Sequence, residues 1–228
     1  MTPELPPYFL TRPDWTPTEA QKQGLQAWFE TAIEPGGNAL ASPPVGLSPW
    51  QALAWLGETQ PVLLHGTGDP DIGLFEPRQP VDVGAFGSQN AVYAASDGVW
   101  AMFYAVMDRV NHPTTIVNGS FVVGPTGARR GPLYYFSASG EALARRPFRT
   151  GWVYVLPRAG FLQEAAFDWH GLPVQTGHWA SLQAVRPLAK LAVRPEDFPF
   201  LDRIRPHDET TLHARMREDP DGFPWAES

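Results

Sequence analysis

His65, Gly66 and Thr67 end the apolar run Val62-Leu63-Leu64, after which the chain dissolves into the turn-rich GDPDIG. A strand that stops on an imidazole, a bare backbone and a hydroxyl can hold a small molecule. Gly66 lets main-chain N–H and C=O approach a planar amide, while His65 and Thr67 donate to hydroxyls. Taken alone, the triplet also fits a strand-end histidine satisfied in the core. Further along, AVYAASDGVWAMFYA (91–105) puts Tyr93 in a second apolar strand and Tyr104 on the third turn of a following helix. Singly, each reads as a core aromatic. Together, two phenols can sandwich a flat ring while their hydroxyls reach a wetter rim.

Short elements must position these side chains. The 228 residues include 25 Pro and 21 Gly, so frequent turns are expected and long helices are not. A helix is predicted over 17–34, capped by Thr16 or Thr18, with Leu25, Trp28, Phe29 and Ile33 at helical spacing and Pro35-Gly36-Gly37 as its stop. Ser48 and Pro49 open a second helix, WQALAWLGE, and ALASPPVGL between them is a linker or extended arm. Ser96 or Asp97 caps a third, GVWAMFYAVMDR, apolar on nearly every side and therefore buried. Strands are predicted at 62–64, 91–95, 114–124, 132–138, 151–157, 178–185 and 188–195. Strands crowding the second half imply an α+β fold with a largely antiparallel sheet. The organisation expected is a helical N-terminal extension (1–58), a main domain (59–205) and a polar tail (206–228) with a helix near DETTLHARMRE.

Composition narrows the function classes. With 17 basic against 24 acidic residues and a net charge of −7, wholesale coating of nucleic acid is not expected. No apolar run is long enough to span a membrane, and the start lacks a cationic segment followed by an apolar core. The absence of cysteine excludes disulfides and thiolate metal sites and makes a cytoplasmic location the expectation. His207 and His213 are six apart, and His170 and His178 eight apart; neither spacing suits a helical metal pair, so no metal is expected. Nine tryptophans are many for this length and belong in core or pocket walls.

The order strand-His-Gly-Thr, strand-Tyr-Ala-x-x-Asp, then a helix with a second Tyr resembles the ADP-ribosyltransferase superfamily. The likeness is to its diphtheria-toxin-like and poly(ADP-ribose) polymerase-like branch, known by a His-Tyr-Glu triad, and it covers roughly residues 60–195. The resemblance implies split antiparallel β-sheets with a few short helices, and NAD as co-substrate without a metal. It implies transfer of ADP-ribose from NAD to a macromolecular acceptor or water. In that family the His grips the adenosine-side ribose, the following Gly pairs through its backbone with the nicotinamide amide, and the tyrosines stack on the nicotinamide. Those roles fall on His65, Gly66, Tyr93 and Tyr104, with Thr67 where Ser or Thr is common.

Two positions depart from the pattern. Ala101 stands where many relatives carry a Ser that holds the amide. In TGHWASLQAV, His178 precedes Trp179 where the third-motif Glu would stand, which makes His178, His65 and Tyr93 the implied catalytic set. Cleaving the nicotinamide–ribose bond builds positive charge on the ribose. A neutral His178 accepts the same hydrogen bond as Glu but brings no negative charge. Losing one well-placed electrostatic group costs on the order of 10²–10³ in rate, and losing a general base on the order of 10²–10⁴. The chain therefore reads either as a transferase with an altered centre or as a non-catalytic NAD or ADP-ribose-binding module. Glu164 offers a carboxylate from a neighbouring loop, or is a solvated turn acid. Arg129, Arg130, Arg145, Arg146, Arg149 and Arg158, interleaved with Tyr134, Tyr135 and Phe136, are solvated hairpin ends or the docking place of a macromolecular acceptor.

Overall fold

Thr18 starts the first helix reciprocally: its hydroxyl accepts the Gln21 N–H at 3.2 Å, and the Gln21 side chain accepts the Thr18 N–H at 2.9 Å. The structure is a computed structural model that describes residues 6–79, 86–125, 127–169, 171–220 and 222–226. In chain order, β1 (Leu10–Thr11) precedes α1 (Glu19–Trp28), which widens into a π-helical turn at Phe29–Ile33; β2 (Ala39–Leu40) and α2 (Pro49–Thr59) follow. Next come β3 (Val62–Thr67), β4 (Val92–Ala95), α3 (Gly98–Val106), β5 (Ile116–Val123), β6 (Arg130–Ser139), α4 (Gly140–Ala144) and β7 (Gly151–Pro157). The remainder is β8 (Leu162–Gln163), β9 (Phe167–Trp169), β10 (Leu172–Thr176), β11 (His178–Ser181), β12 (Ala189–Val193), β13 (Arg205–His207) and α5 (Glu209–Glu218).

The fold is α+β with two sheets. One runs β2-β12-β7-β3-β4-β11-β8, and the other runs β1-β6-β5-β10-β9 with β13 also on β6. All pairings are antiparallel except β12 with β2 and β13 with β6. The strand predicted over 178–185 ends at Ser181, whose hydroxyl accepts the Gln183 N–H and turns the chain. The segment 39–47, read as a linker or extended arm, contributes β2 by pairing Ala39 and Leu40 with β12, a contact between distant segments that local sequence does not encode. No helix among the described residues is long and apolar enough to cross a membrane. No group of three His, Asp or Glu among them is placed to hold a metal ion.

Helix α3 sits between the sheets. Every residue of it is buried except Tyr104. Asp97 caps its start by accepting the Trp100 N–H at 2.8 Å, and its other oxygen accepts the Tyr134 hydroxyl of β6 at 2.8 Å. Phe103 packs on Phe136 of β6 with ring centroids 4.8 Å apart. On the opposite side α3 meets bare backbone. A methyl group built on Gly66 would lie 1.8 Å from the Ala101 carbonyl oxygen, and one on Gly151 would lie 2.0 Å from that of Ala105. The main core joins α1, α2 and α3 to both sheets, through Leu25, Leu53, Val99, Phe136 and Val155 among others. A smaller core around Leu63, Phe75, Tyr154 and Leu156 covers the other face of the seven-stranded sheet.

Two predictions follow from this packing. Gly66→Ala must displace helix backbone and is expected to cost about 3 kcal/mol, the upper part of the overpacking range. Gly24→Ala, on exposed α1 with nothing within 4 Å, is expected to stabilise by about 0.5–1 kcal/mol; urea unfolding of both variants checks the opposite signs. The second concerns His207, buried against Ser137. Burial holds its imidazole below the ordinary value; neighbouring His213 adds to this, while Glu209 and Asp208 oppose it. On acidification the unfolded chain takes up this proton first, so stability falls as pH drops below about 6.5 and does not change above it on this account. Urea midpoints at several pH values from about 7.5 down to 5.5 should decline, and His207→Gln should reduce the decline.

Candidate functional site: a gap beside β4 and the His178–Glu164 pair

The site begins where β3 and β4 part. Arg158 N–H bonds to Pro61 carbonyl across the β3–β7 edge, so alternation along an antiparallel strand turns the N–H and C=O of Leu64 and Gly66 toward β4. Leu64 pairs with Ala95, and among the described residues no further β3–β4 pair is registered. Continuing that register would put Gly66 opposite Tyr93. Instead the Tyr93 carbonyl receives the His65 ring at Nδ1, 2.7 Å away. The ladder thus opens beside Gly66, on whose other side the Ala101 carbonyl is packed.

Aromatic rings gather beside this gap on the face of the sheet that carries α3. Register places His178 opposite Ala95 and Ala180 opposite Tyr93, so the side chains of Tyr93 and His178 share a face. The His178 ring lies 5.1 Å from Tyr93 at a 31° tilt, 5.7 Å from Trp100 and 5.2 Å from Phe86. The Tyr93 hydroxyl donates to the carbonyls of Phe86 and Gln89, both at 2.9 Å, so the phenol is anchored at its tip. Trp100 is fixed in turn by its indole N–H on Asn118 of β5 at 2.6 Å. Tyr104 lies one helical turn beyond Trp100, half-buried, 6.4 Å from it, with the Arg109 guanidinium 5.7 Å from its ring.

A carboxylate stands behind His178. Glu164 Oε2 lies 3.5 Å from His178 Nδ1 and accepts the Thr176 hydroxyl at 2.7 Å. The backbone locks the pair, because Glu164 N–H donates to the His178 carbonyl at 3.0 Å and the Gln175 side chain to the Glu164 carbonyl at 2.7 Å. Burial alone would push the Glu164 carboxyl up, but the hydrogen bonds from His178 and Thr176 outweigh it and hold the group below the usual carboxylate range. It is ionised at neutral pH.

His65 belongs to the other face. Its ring packs on Phe75 with centroids 4.7 Å apart, and Tyr154 is its cross-strand neighbour. Burial lowers its pKa, as does the Arg78 charge, so the ring is neutral at pH 7. A carbonyl only accepts, so Nδ1 carries the proton and Nε2 is left as an acceptor. Sequence reasoning made His65 a donor to hydroxyls; the bond to Tyr93 reverses that role. Thr67 is engaged in the following turn, where its hydroxyl accepts the Asp69 N–H at 3.2 Å. Of the five residues first singled out, Gly66, Tyr93 and Tyr104 therefore stand on the α3 side, Thr67 alternates with Gly66 onto the other face, and His65 reaches the α3 group through the Tyr93 main chain.

Comparison with protein-family models, curated proteins and solved structures finds no match.

The arginines do not form one patch. Arg158 donates to the carbonyls of Gln60 and Val62 and lies 5.5 Å from the Trp179 ring, Arg145 pairs with Glu141, and Arg149 pairs with Asp108 while its guanidinium lies on Gly68. Arg130 is on β6, in the other sheet from Arg158. His170 lies outside the described residues. Sequence reasoning did not place Phe86, Thr176 or Asn118 in the site; Phe86 joins it through the His178 ring, Thr176 through Glu164 and Asn118 through Trp100.

Removing either partner of Glu164 should raise its titration. Thr176→Val and His178→Ala are each expected to move the Glu164 carboxyl upward in a carbon-13 NMR titration, and an unchanged curve would deny the pairing.

Proposed function

We propose that the chain is an NAD-dependent ADP-ribosyltransferase-like protein that passes ADP-ribose from NAD to an acceptor. The observation that carries this reading is the opening of the β3–β4 ladder beside Gly66, flanked by Tyr93 and His178 and closed behind by α3. Main-chain N–H and C=O turned toward β4 at Gly66, with aromatic rings beside them on the α3 face, suit a planar amide-bearing ring. The motif resemblance of residues 60–195 supports the same assignment. Nicotinamide would meet the Gly66 edge and stack on Tyr93, with Tyr104 further along the helix. His65 Nε2 would accept a ribose hydroxyl, and His178 would stand by the scissile bond. Cleavage breaks the bond between the ribose C1′ and the pyridinium nitrogen, whose electron pair leaves on neutral nicotinamide. An acceptor lone pair forms the new bond to C1′.

A second reading, a module that binds NAD or ADP-ribose without turnover, is favoured by the motif resemblance itself, which puts His178 where the family's Glu would stand. Purified protein incubated with NAD separates the two. Release of nicotinamide supports the transferase, whereas calorimetric binding without release supports the module. Tyr93→Ala is expected to weaken NAD binding roughly tenfold, the equivalent of about 1.4 kcal/mol of lost stacking. A wild-type protein that neither binds nor consumes NAD ends both readings.

A further inference from the structure

The Glu164–His178 pair has the build of a base and its orienting carboxylate. Both residues are part-buried, with side chains 26% and 20% exposed, so solvent or an acceptor can reach the imidazole. Nδ1 faces the carboxylate, which favours the tautomer with its proton there and leaves Nε2 to accept another. Glu164 is held through its main chain, by the His178 carbonyl and the Gln175 side chain, and by the Thr176 hydroxyl, so its place does not depend on the His178 imidazole. A lone imidazole in this position would become a cation on taking a proton, beside a sugar that is itself gaining positive charge. The ionised Glu164 offsets that cation.

We propose that the two tasks of a single third-motif carboxylate are divided here. His178 is the base that takes the proton of a hydroxyl acceptor or water, and Glu164 is the positioning residue that sets its tautomer and neutralises the resulting imidazolium. This rests on the transferase reading above. In balanced form, the acceptor oxygen bonds to ribose C1′ as the C1′–N bond breaks toward nicotinamide. The acceptor's proton passes to His178 Nε2 and from there to solvent.

The test is nicotinamide release and NAD affinity in four proteins: wild type, E164Q, H178A and the double variant H178A/E164Q. E164Q is expected to lower kcat by about 10²-fold with the NAD Kd within twofold of wild type. In the H178A background the same change is expected to cost nothing further, because the pair acts as a unit. A fourth variant, H178E/E164Q, returns a carboxylate to position 178 and is expected to recover turnover relative to E164Q. Wild-type kcat in E164Q, or equal and additive losses in the two backgrounds, overturns the inference and leaves the transferase reading standing. A wild type that binds NAD without releasing nicotinamide overturns the inference and favours the binding module. A wild type that does not bind NAD removes both.

Discussion

The close approach of α3 to the sheet is the constraint on which this architecture depends. Ala101 and Ala105 put their carbonyl oxygens where the side chains of Gly66 and Gly151 would otherwise be. Helix and sheet thereby meet backbone to backbone, closer than any larger residue on β3 or β7 permits. The consequence extends to the candidate site. Trp100 and Tyr104 are carried toward the β3–β4 edge, and Gly66 is kept both as a seat for the helix and as an amide edge beside the gap. Ala101 meets Gly66 through its carbonyl, and its methyl side chain brings no polar group to the site.

Asp97 ties the same helix to the second sheet. It caps α3 and accepts the Tyr134 hydroxyl. Burial pushes its carboxyl up, and the bonds from Trp100 and Tyr134 work against that rise. The Arg12–Glu58 pair lies close enough to act on it electrostatically, and it joins the chain just after β1 to α2. One residue thus connects the helix start, the six-stranded sheet and the N-terminal segments. The helices before residue 60 are accordingly part of the main core, where Leu25, Phe29, Ile33 and Leu53 pack with Phe103 and Val155.

Strand alternation divides the candidate site. His65 and Gly66 are adjacent in sequence, yet one turns its ring toward Phe75 and Tyr154 while the other presents its backbone to α3 and β4. The same alternation separates His178, among Tyr93, Trp100 and Phe86, from Trp179, which lies beneath Arg158.

Local sequence marked the longer elements but not the short β8, β9, β10, β13 and α4. Thr18, Ser48 and Asp97 mark helix starts because capping is settled within four residues, and the all-apolar face of 98–106 foretold its burial because a helix without a polar side has no place in water. The β7 run 151–157 and the His-Gly end of β3 were legible for the same reason. Distant contacts were not legible. The pairing of Ala39–Leu40 with β12, the reversal of His65 from donor to acceptor, the dispersal of the arginines, and the meeting of Glu164 with His178 each require register between segments far apart in the chain. Sequence supplied the residue types that chemistry needs; only tertiary structure decided which share a face, because a strand's side chains alternate and one residue of register exchanges one face for the other.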